Sequence, residues 1–146
     1  MTSSSEINTF LKNDPVFMGC FPSDKLPPMK GANNPQSMIV NTQRASKPGE
    51  HWIALVMTKR HCFYFDSFGL PVIEFHITEY LSNYYSKVIY SSVCIQDIDS
   101  NKCGEFCIGF VKHTRCKKTY NTYLSNFNFK HVELNDLIVT RLINTM

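Results

Sequence analysis

Residues 96–111 read QDIDSNKCGEFCIGFV, and this stretch carries the strongest structural signal in the chain. Its apolar residues recur at positions 103, 106, 107, 110 and 111, the spacing of one face of an amphipathic helix. The spacing predicts a helix that begins at or just before Cys103. Because the dipole and the free N–H groups at a helix N-terminus favour a thiolate, the pattern indicates a reactive sulfur.

Residues next to Cys103 have expected roles of their own. Gly104 has no side chain, and we expect it to let a substrate carbonyl approach the backbone amides. Either Asn101 or Ser100 is expected to cap the first turn of the helix. Cys107 lies four residues further along the same face, and we interpret it as a core thiol.

A cysteine nucleophile also needs a base to take its proton. Residues 51–58 and 61–67 are apolar runs separated by Lys59-Arg60, which predicts a β-hairpin with both strands largely buried. His51 opens the first strand and Asp66 closes the second. Since the start of one antiparallel strand lies beside the end of the next, these two side chains are expected to meet at one edge of the sheet. The acid would then orient the imidazole that receives the thiol proton.

Other interpretations of these residues stay open at this point. Asp97 or Asp99 could supply the carboxylate, although Asp66 is preferred because it closes the strand paired with that of His51. A cysteine on a helix face and a histidine at a strand start each have ordinary structural roles, and the combination is what indicates catalysis. From the residues alone, Gln96 is marked by its place at the end of a predicted strand before the helix.

The remaining pattern predicts further helices and strands around these residues. Helices are expected at 3–13, 73–86 and 133–144, and strands at 16–21, 37–42 and 87–95. The last helix is expected to bury the face with Leu134, Leu137, Ile138 and Leu142. Residues 17–35 are rich in proline and irregular, and they serve either as a connection or as part of a cleft. Residues 120–129 fit no single element.

Composition limits the classes of function. The 146 residues with 43% apolar content fit one compact domain over residues 1–146. A net charge of +3 does not demand nucleic acid, although it would permit weak electrostatic contact. With neither a secretory signal nor a membrane-length apolar run, the chain is expected to be neither secreted nor membrane-bound. Its six cysteines are expected to be reduced thiols, and their spacing does not indicate a metal site.

Five motifs follow one another along residues 15–112. They are Ile39-Val40-Asn41-Thr42, Gly49-Glu50-His51-Trp52, Tyr64-Phe65-Asp66-Ser67-Phe68-Gly69, Gln96 and Cys103-Gly104-Glu105-Phe106-Cys107. This ordered series resembles the adenovirus maturation proteases, the adenain family. More broadly, it is similar to the superfamily that also contains the SUMO-deconjugating proteases. An ordered series of this kind is far more specific than any single motif.

The resemblance implies an α+β, papain-like or adenain-like fold in which helices flank a mixed central sheet and the nucleophile begins a helix. Carried over by position, Cys103 would be the nucleophile, His51 the general base and then acid, and Asp66 its orienting carboxylate. Gln96 would donate from its side chain to the oxyanion, together with the backbone N–H of Cys103. Trp52 would wall the site beside the base and contact substrate. Adenovirus proteases carry Glu where this chain has Asp66, which is the residue of the SUMO-type enzymes.

The same resemblance implies a thiol protease, a hydrolase encoded by a virus or virus-like element. Its expected substrates are capsid or virion precursor proteins, cut at Gly-Gly or Gly-Xaa sites in the virion or in the host nucleus or cytoplasm. The residues require no cofactor, while an activating viral peptide and DNA are implied by resemblance alone. A monomer is expected. The alternatives are a deconjugating protease for ubiquitin-like or SUMO-like modifiers and an acyltransferase or binding module on the same fold.

Overall fold

The computed structural model describes residues 2–29 and 35–145. In chain order these residues form α1 (Ser4–Leu11), β1 (Phe17–Pro22), β2 (Gln36–Asn41), β3 (Trp52–Met57), β4 (Cys62–Phe65), α2 (Phe75–Tyr84), β5 (Val88–Tyr90), α3 (Cys103–His113), α4 (Lys117–Leu124) and α5 (Asn135–Asn144). A short 3-10 turn, Val132–Leu134, precedes α5. No helix in the described ranges is long and apolar enough to cross a membrane.

The five strands form one mixed sheet in the order β1-β2-β3-β4-β5. The two outer pairs are parallel and the two inner pairs are antiparallel. Strand β3 lies at the centre, and all six of its residues are buried, as its unbroken apolar sequence predicts. The α+β fold with a mixed central sheet and flanking helices is therefore confirmed.

Each face of the sheet packs against its own apolar cluster. On one face, Val56 and Phe65 pack with Phe106 and Phe110 of α3, and the rings of Phe65 and Phe110 stack with centroids 4.5 Å apart. The opposite face carries Ile53, Leu55 and Met57, which pack with Ile77 and Leu81 of α2. The alternation of a strand thus places β3 between the two clusters and fixes α3 on one side of it.

The β3–β4 hairpin has the predicted connection. Ala54 pairs with Phe65 and Met57 pairs with Cys62 in an antiparallel register. The turn closes through Thr58, whose backbone N–H donates to the carbonyl of His61 at 2.8 Å. The start of β3 and the end of β4 therefore lie at the same edge of the sheet.

Three of the predicted elements differ from the structure. Helix α2 begins at Phe75 rather than at 73, because Glu74 is its N-cap and accepts from the Ile77 N–H at 2.8 Å, while Ile73 is exposed. The strand expected over 87–95 is limited to Val88–Tyr90. By contrast, the strand expected over 16–21 is present as β1 within the irregular stretch of 17–35, of which residues 30–34 lie outside the described residues.

The buried face of α5 is the third difference. Leu134 and Leu137 were expected inside but are exposed, and Val139 and Ile143 are buried instead. The fully buried Asn135 accounts for this rotation, since its amide donates to the carbonyls of Ile95 and Asn128, at 2.8 Å each. A polar anchor at the start of the helix thus overrides the apolar periodicity.

The packing of α4 on α3 leads to a test of stability. A Cβ added at Gly109 would lie 2.6 Å from the hydroxyl oxygen of the buried Tyr123, which donates to the Phe106 carbonyl. We expect Gly109→Ala to lower the free energy of unfolding by about 1–3 kcal/mol, because Tyr123 must shift. Urea denaturation measures the change, with the exposed Asn121→Ala on α4 as the control. A Gly109→Ala variant as stable as the control would contradict this packing.

Candidate active site

Cys103 is the first residue of α3 and is buried. The N-cap residue is Lys102, and no side chain caps the helix. The expected cap by Asn101 or Ser100 is therefore wrong, and the Ser100 hydroxyl instead accepts from the Lys102 N–H at 3.2 Å. Because no side chain caps them, the N–H groups of the first turn remain available to favour a thiolate or an oxyanion at this end of the helix.

The imidazole of His51 is held on two sides at the edge of the sheet. Its Nε2 lies 2.9 Å from Asp66 Oδ1, and its ring stacks on Phe68 with centroids 5.1 Å apart. The same carboxylate oxygen accepts from the Phe68 N–H at 2.8 Å, which fixes the acid as well. With Nε2 bound to Asp66, Nδ1 is the ring nitrogen left for Cys103, whose side chain also raises the pKa of the imidazole.

The environment of His51 favours its protonated form. Burial of the ring opposes the positive charge, but the interactions with Asp66 and Cys103 outweigh burial and raise the pKa of His51 to about 9. The imidazole therefore carries its proton at neutral pH. An imidazolium beside Cys103 stabilises a thiolate, which is the nucleophilic form of sulfur.

Gln96 precedes Cys103 in the sequence and is buried, with 2% of its surface exposed. The carbonyl of Ser67 accepts from the backbone N–H groups of Ile95 and Gln96, at 2.8 and 3.0 Å. Gly69 allows this close approach, because with φ of +72° an added Cβ would lie 2.7 Å from the Val93 carbonyl carbon. The loop after Asp66 and the segment before Gln96 therefore form one unit.

Helix α5 supports the loop between Gln96 and Cys103. Nε2 of Gln96 donates to the Ser100 carbonyl at 3.0 Å, and the Ser100 hydroxyl donates to Asp136 at 2.7 Å. One residue earlier, Asn135 holds the carbonyl of Ile95. The Gln96 side-chain amide, which is expected to stabilise an oxyanion, is thus linked to helix α5 through Ser100.

The N-terminal segment occupies the space beside Gly104. An added Cβ there would lie 2.8 Å from Thr2 Cβ and 3.4 Å from Ile7 Cδ1. The Thr2 hydroxyl donates to the Glu105 carboxylate, and the Thr2 carbonyl accepts from Trp52 Nε1 at 2.8 Å. This glycine therefore lets the N-terminal segment pack on α3, and the approach of a substrate carbonyl to its backbone amide stays a prediction.

Trp52 lies at the start of β3, on the face that carries α3. It lines a cavity of about 500 Å³ between the N-terminal segment and residues 43–49. Arg44 and Lys47 contribute to the same lining. A cavity of this size suits a short peptide segment, and Trp52 stays the predicted substrate contact.

The structure contains a cysteine at a helix N-terminus, a histidine held by an aspartate and a buried glutamine, and these residues follow the chain order His, Asp, Gln, Cys. A model of the adenovirus endoprotease family matches residues 17–140. The chain belongs to the adenovirus endoprotease family. Membership confirms the resemblance to the adenovirus maturation proteases.

Among solved structures, the chain is similar to the selenomethionine crystal structure of the ASFV pS273R protease, with 15% identity and a TM-score of 0.46. That match covers 75% of this chain and 43% of the other, so the chain spans less than half of that protein. No curated protein matches the chain.

Several side chains of this family member were not found by sequence reasoning. Ser67, Phe68, Asn135 and Asp136 all contact the predicted residues or their backbone. Ser67 and Phe68 belong to the motif that carried the resemblance, but neither residue type indicates a role by itself. Nothing in the apolar pattern of α5 indicates its polar contacts with Ile95 and Ser100.

The raised pKa of His51 gives a test of its pairing with Asp66 and Cys103. Cys103→Ala and Asp66→Asn should each lower the pKa of His51, because the first removes the sulfur and the second removes the negative charge that favour the imidazolium. Titration of the ring by NMR measures the change, with the buried Cys107→Ala as the control.

The raised pKa of His51 also makes the stability of the fold depend on pH. Since the folded-state pKa exceeds the ordinary 6.5, the pair stabilises the fold fully below pH 6.5, and this contribution is lost as pH rises through about 9. A His51 that titrates at its ordinary value in the wild type would contradict the assigned contacts.

Proposed function

We propose that the chain hydrolyses peptide bonds as a cysteine endopeptidase. The observation that carries the proposal is the contact of His51 with Asp66 at 2.9 Å beside a cysteine that begins α3. Nucleophile, base and orienting acid are the arrangement that acyl transfer through a thioester requires.

The reaction follows from these positions. The Cys103 thiolate attacks the substrate carbonyl carbon, and the oxyanion accepts hydrogen bonds from the Cys103 backbone N–H and Gln96 Nε2. As the C–N bond breaks, His51 donates its proton to the leaving amine and a thioester remains. Water then attacks the thioester with neutral His51 as base, and Cys103 is released with the new carboxylic acid. Asp66 holds the ring in place throughout.

Every group in these steps belongs to the chain, so we propose that hydrolysis needs no bound cofactor. The family resemblance adds an activating viral peptide and DNA. The net charge of +3 is compatible with weak DNA contact, and a monomer is sufficient because all four side chains lie in one chain.

The substrate proposal rests on the family. Polypeptides are the substrates of a peptidase family, and we propose capsid or virion precursors cut at Gly-Gly or Gly-Xaa sites in the virion or the infected cell. The second candidate is a protease that removes ubiquitin-like or SUMO-like modifiers, which is favoured by Asp66 in place of the adenoviral Glu. Acyl transfer is the third candidate, since it uses the same thioester.

One assay separates these candidates. A fluorogenic Leu-Xaa-Gly-Gly peptide, full-length ubiquitin and SUMO would carry the same reporter, and each would be tested with wild type and Cys103→Ala, with and without added DNA. We expect wild type to cut the peptide at least as well as the folded modifiers, and Cys103→Ala to cut none. Cys107→Ala should retain activity, because this thiol is fully buried behind the nucleophile.

The other outcomes are informative in different ways. Cleavage restricted to a folded modifier would contradict the maturation proposal and favour deconjugation. Transfer of the acyl group to an added amine, with no hydrolysis, would favour an acyltransferase. Equal cleavage by wild type and Cys103→Ala would exclude the assigned nucleophile.

A further inference from the structure

We propose that Ser67 is a positioning residue that sets the orientation of the Gln96 side-chain amide. The inference rests on the proposed function, because that amide is assigned to the oxyanion. It extends the site by one residue, which acts through Gln96 and does not touch the substrate.

Ser67 contacts Gln96 through both its backbone and its side chain. Ser67 is fully buried, and its hydroxyl donates to Gln96 Oε1. Its carbonyl accepts from the Gln96 backbone N–H at 3.0 Å. Ser67 directly follows Asp66, so the residue next to the orienting acid also holds the oxyanion donor.

The amide of Gln96 is held at both of its ends. Oε1 accepts from the Ser67 hydroxyl, while Nε2 donates to the Ser100 carbonyl at 3.0 Å. A carbonyl can only accept, so Ser100 determines which end of the amide is the nitrogen. Ser67 then supplies the donor that the oxygen needs in a buried place, where an unsatisfied acceptor is costly.

The orientation decides whether Gln96 can assist catalysis. Nε2 carries two hydrogens, and the bond to Ser100 uses one of them, which leaves the second for an oxyanion. Were the amide reversed, Oε1 would face the developing negative charge and repel it. A donor that is fixed before the reaction is worth far more than one that must reorganise during it.

The kinetic test is a double-mutant cycle on the fluorogenic peptide. Loss of an oxyanion donor costs about 10²–10³ in kcat, so Gln96→Ala should show a loss of that size. We expect Ser67→Ala to lower kcat at least about 10-fold with KM changed less than about 2-fold, and to add less than about 2-fold in the Gln96→Ala background. Ser67→Thr, which keeps the hydroxyl, should recover most of the activity.

Alkylation of Cys103 by iodoacetamide keeps this proposal separate from the proposed function. Ser67→Ala should react at the wild-type rate, because the pair of Cys103 and His51 does not depend on the amide. If wild type neither reacts at Cys103 nor cuts peptide, the proposed function fails. The side-chain amide signals of Gln96 then still report on Ser67, since their exchange with solvent should accelerate at least about 10-fold in Ser67→Ala.

Three results would overturn the assignment. They are a Ser67→Ala kcat within about 2-fold of wild type, an equal loss in the wild-type and Gln96→Ala backgrounds, and unchanged exchange of the Gln96 amide. The free energy of unfolding of Ser67→Ala, measured in parallel, shows whether an activity loss reflects unfolding.

Discussion

The pairing of β3 with β4 is the constraint on which the site depends. Ala54 opposes Phe65 at the end of this ladder, where His51 precedes β3 and Asp66 follows β4. Since side chains alternate along a strand, a slip of one residue would move the imidazole away from the carboxylate. The continuous burial of β3 specifies this register, because both of its faces pack against apolar clusters. The hydrogen bond between His51 and Asp66 is thus set by the core.

The nucleophile reaches this edge because α3 packs on the same sheet. The ring of Phe110 stacks on Phe65, which is one residue before Asp66. That contact fixes the helix axis relative to β4 and places the helix N-terminus, with Cys103, beside the imidazole. Asp136 of helix α5 accepts a hydrogen bond from the Ser100 hydroxyl and so stabilises the loop before Cys103. Apolar packing positions the helix, and hydrogen bonds position the loop.

The fold was predictable where the apolar pattern was long and regular, as in the hairpin and in the helix that begins at Cys103. The positions of His51, Asp66 and Cys103 followed from those two elements and from the family motifs. Contacts distant in sequence were not predictable. The Thr2 segment that fills the space at Gly104 is separated from it by about 100 residues, and no local pattern indicates which segment will pack there. The same limit applies to α5, whose buried face is set by polar contacts.

The pH dependence of Cys103 alkylation by iodoacetamide, followed by peptide mass spectrometry in wild type and His51→Ala, tests the central claim most directly. Cys94 and Cys116, both exposed, serve as internal references. The imidazolium–thiolate pair predicts that Cys103 reacts faster than both references at neutral pH, and that His51→Ala removes the advantage. If Cys103 reacts no faster than the exposed thiols, or if its rate is unchanged without His51, the pair does not exist and the assigned chemistry is wrong.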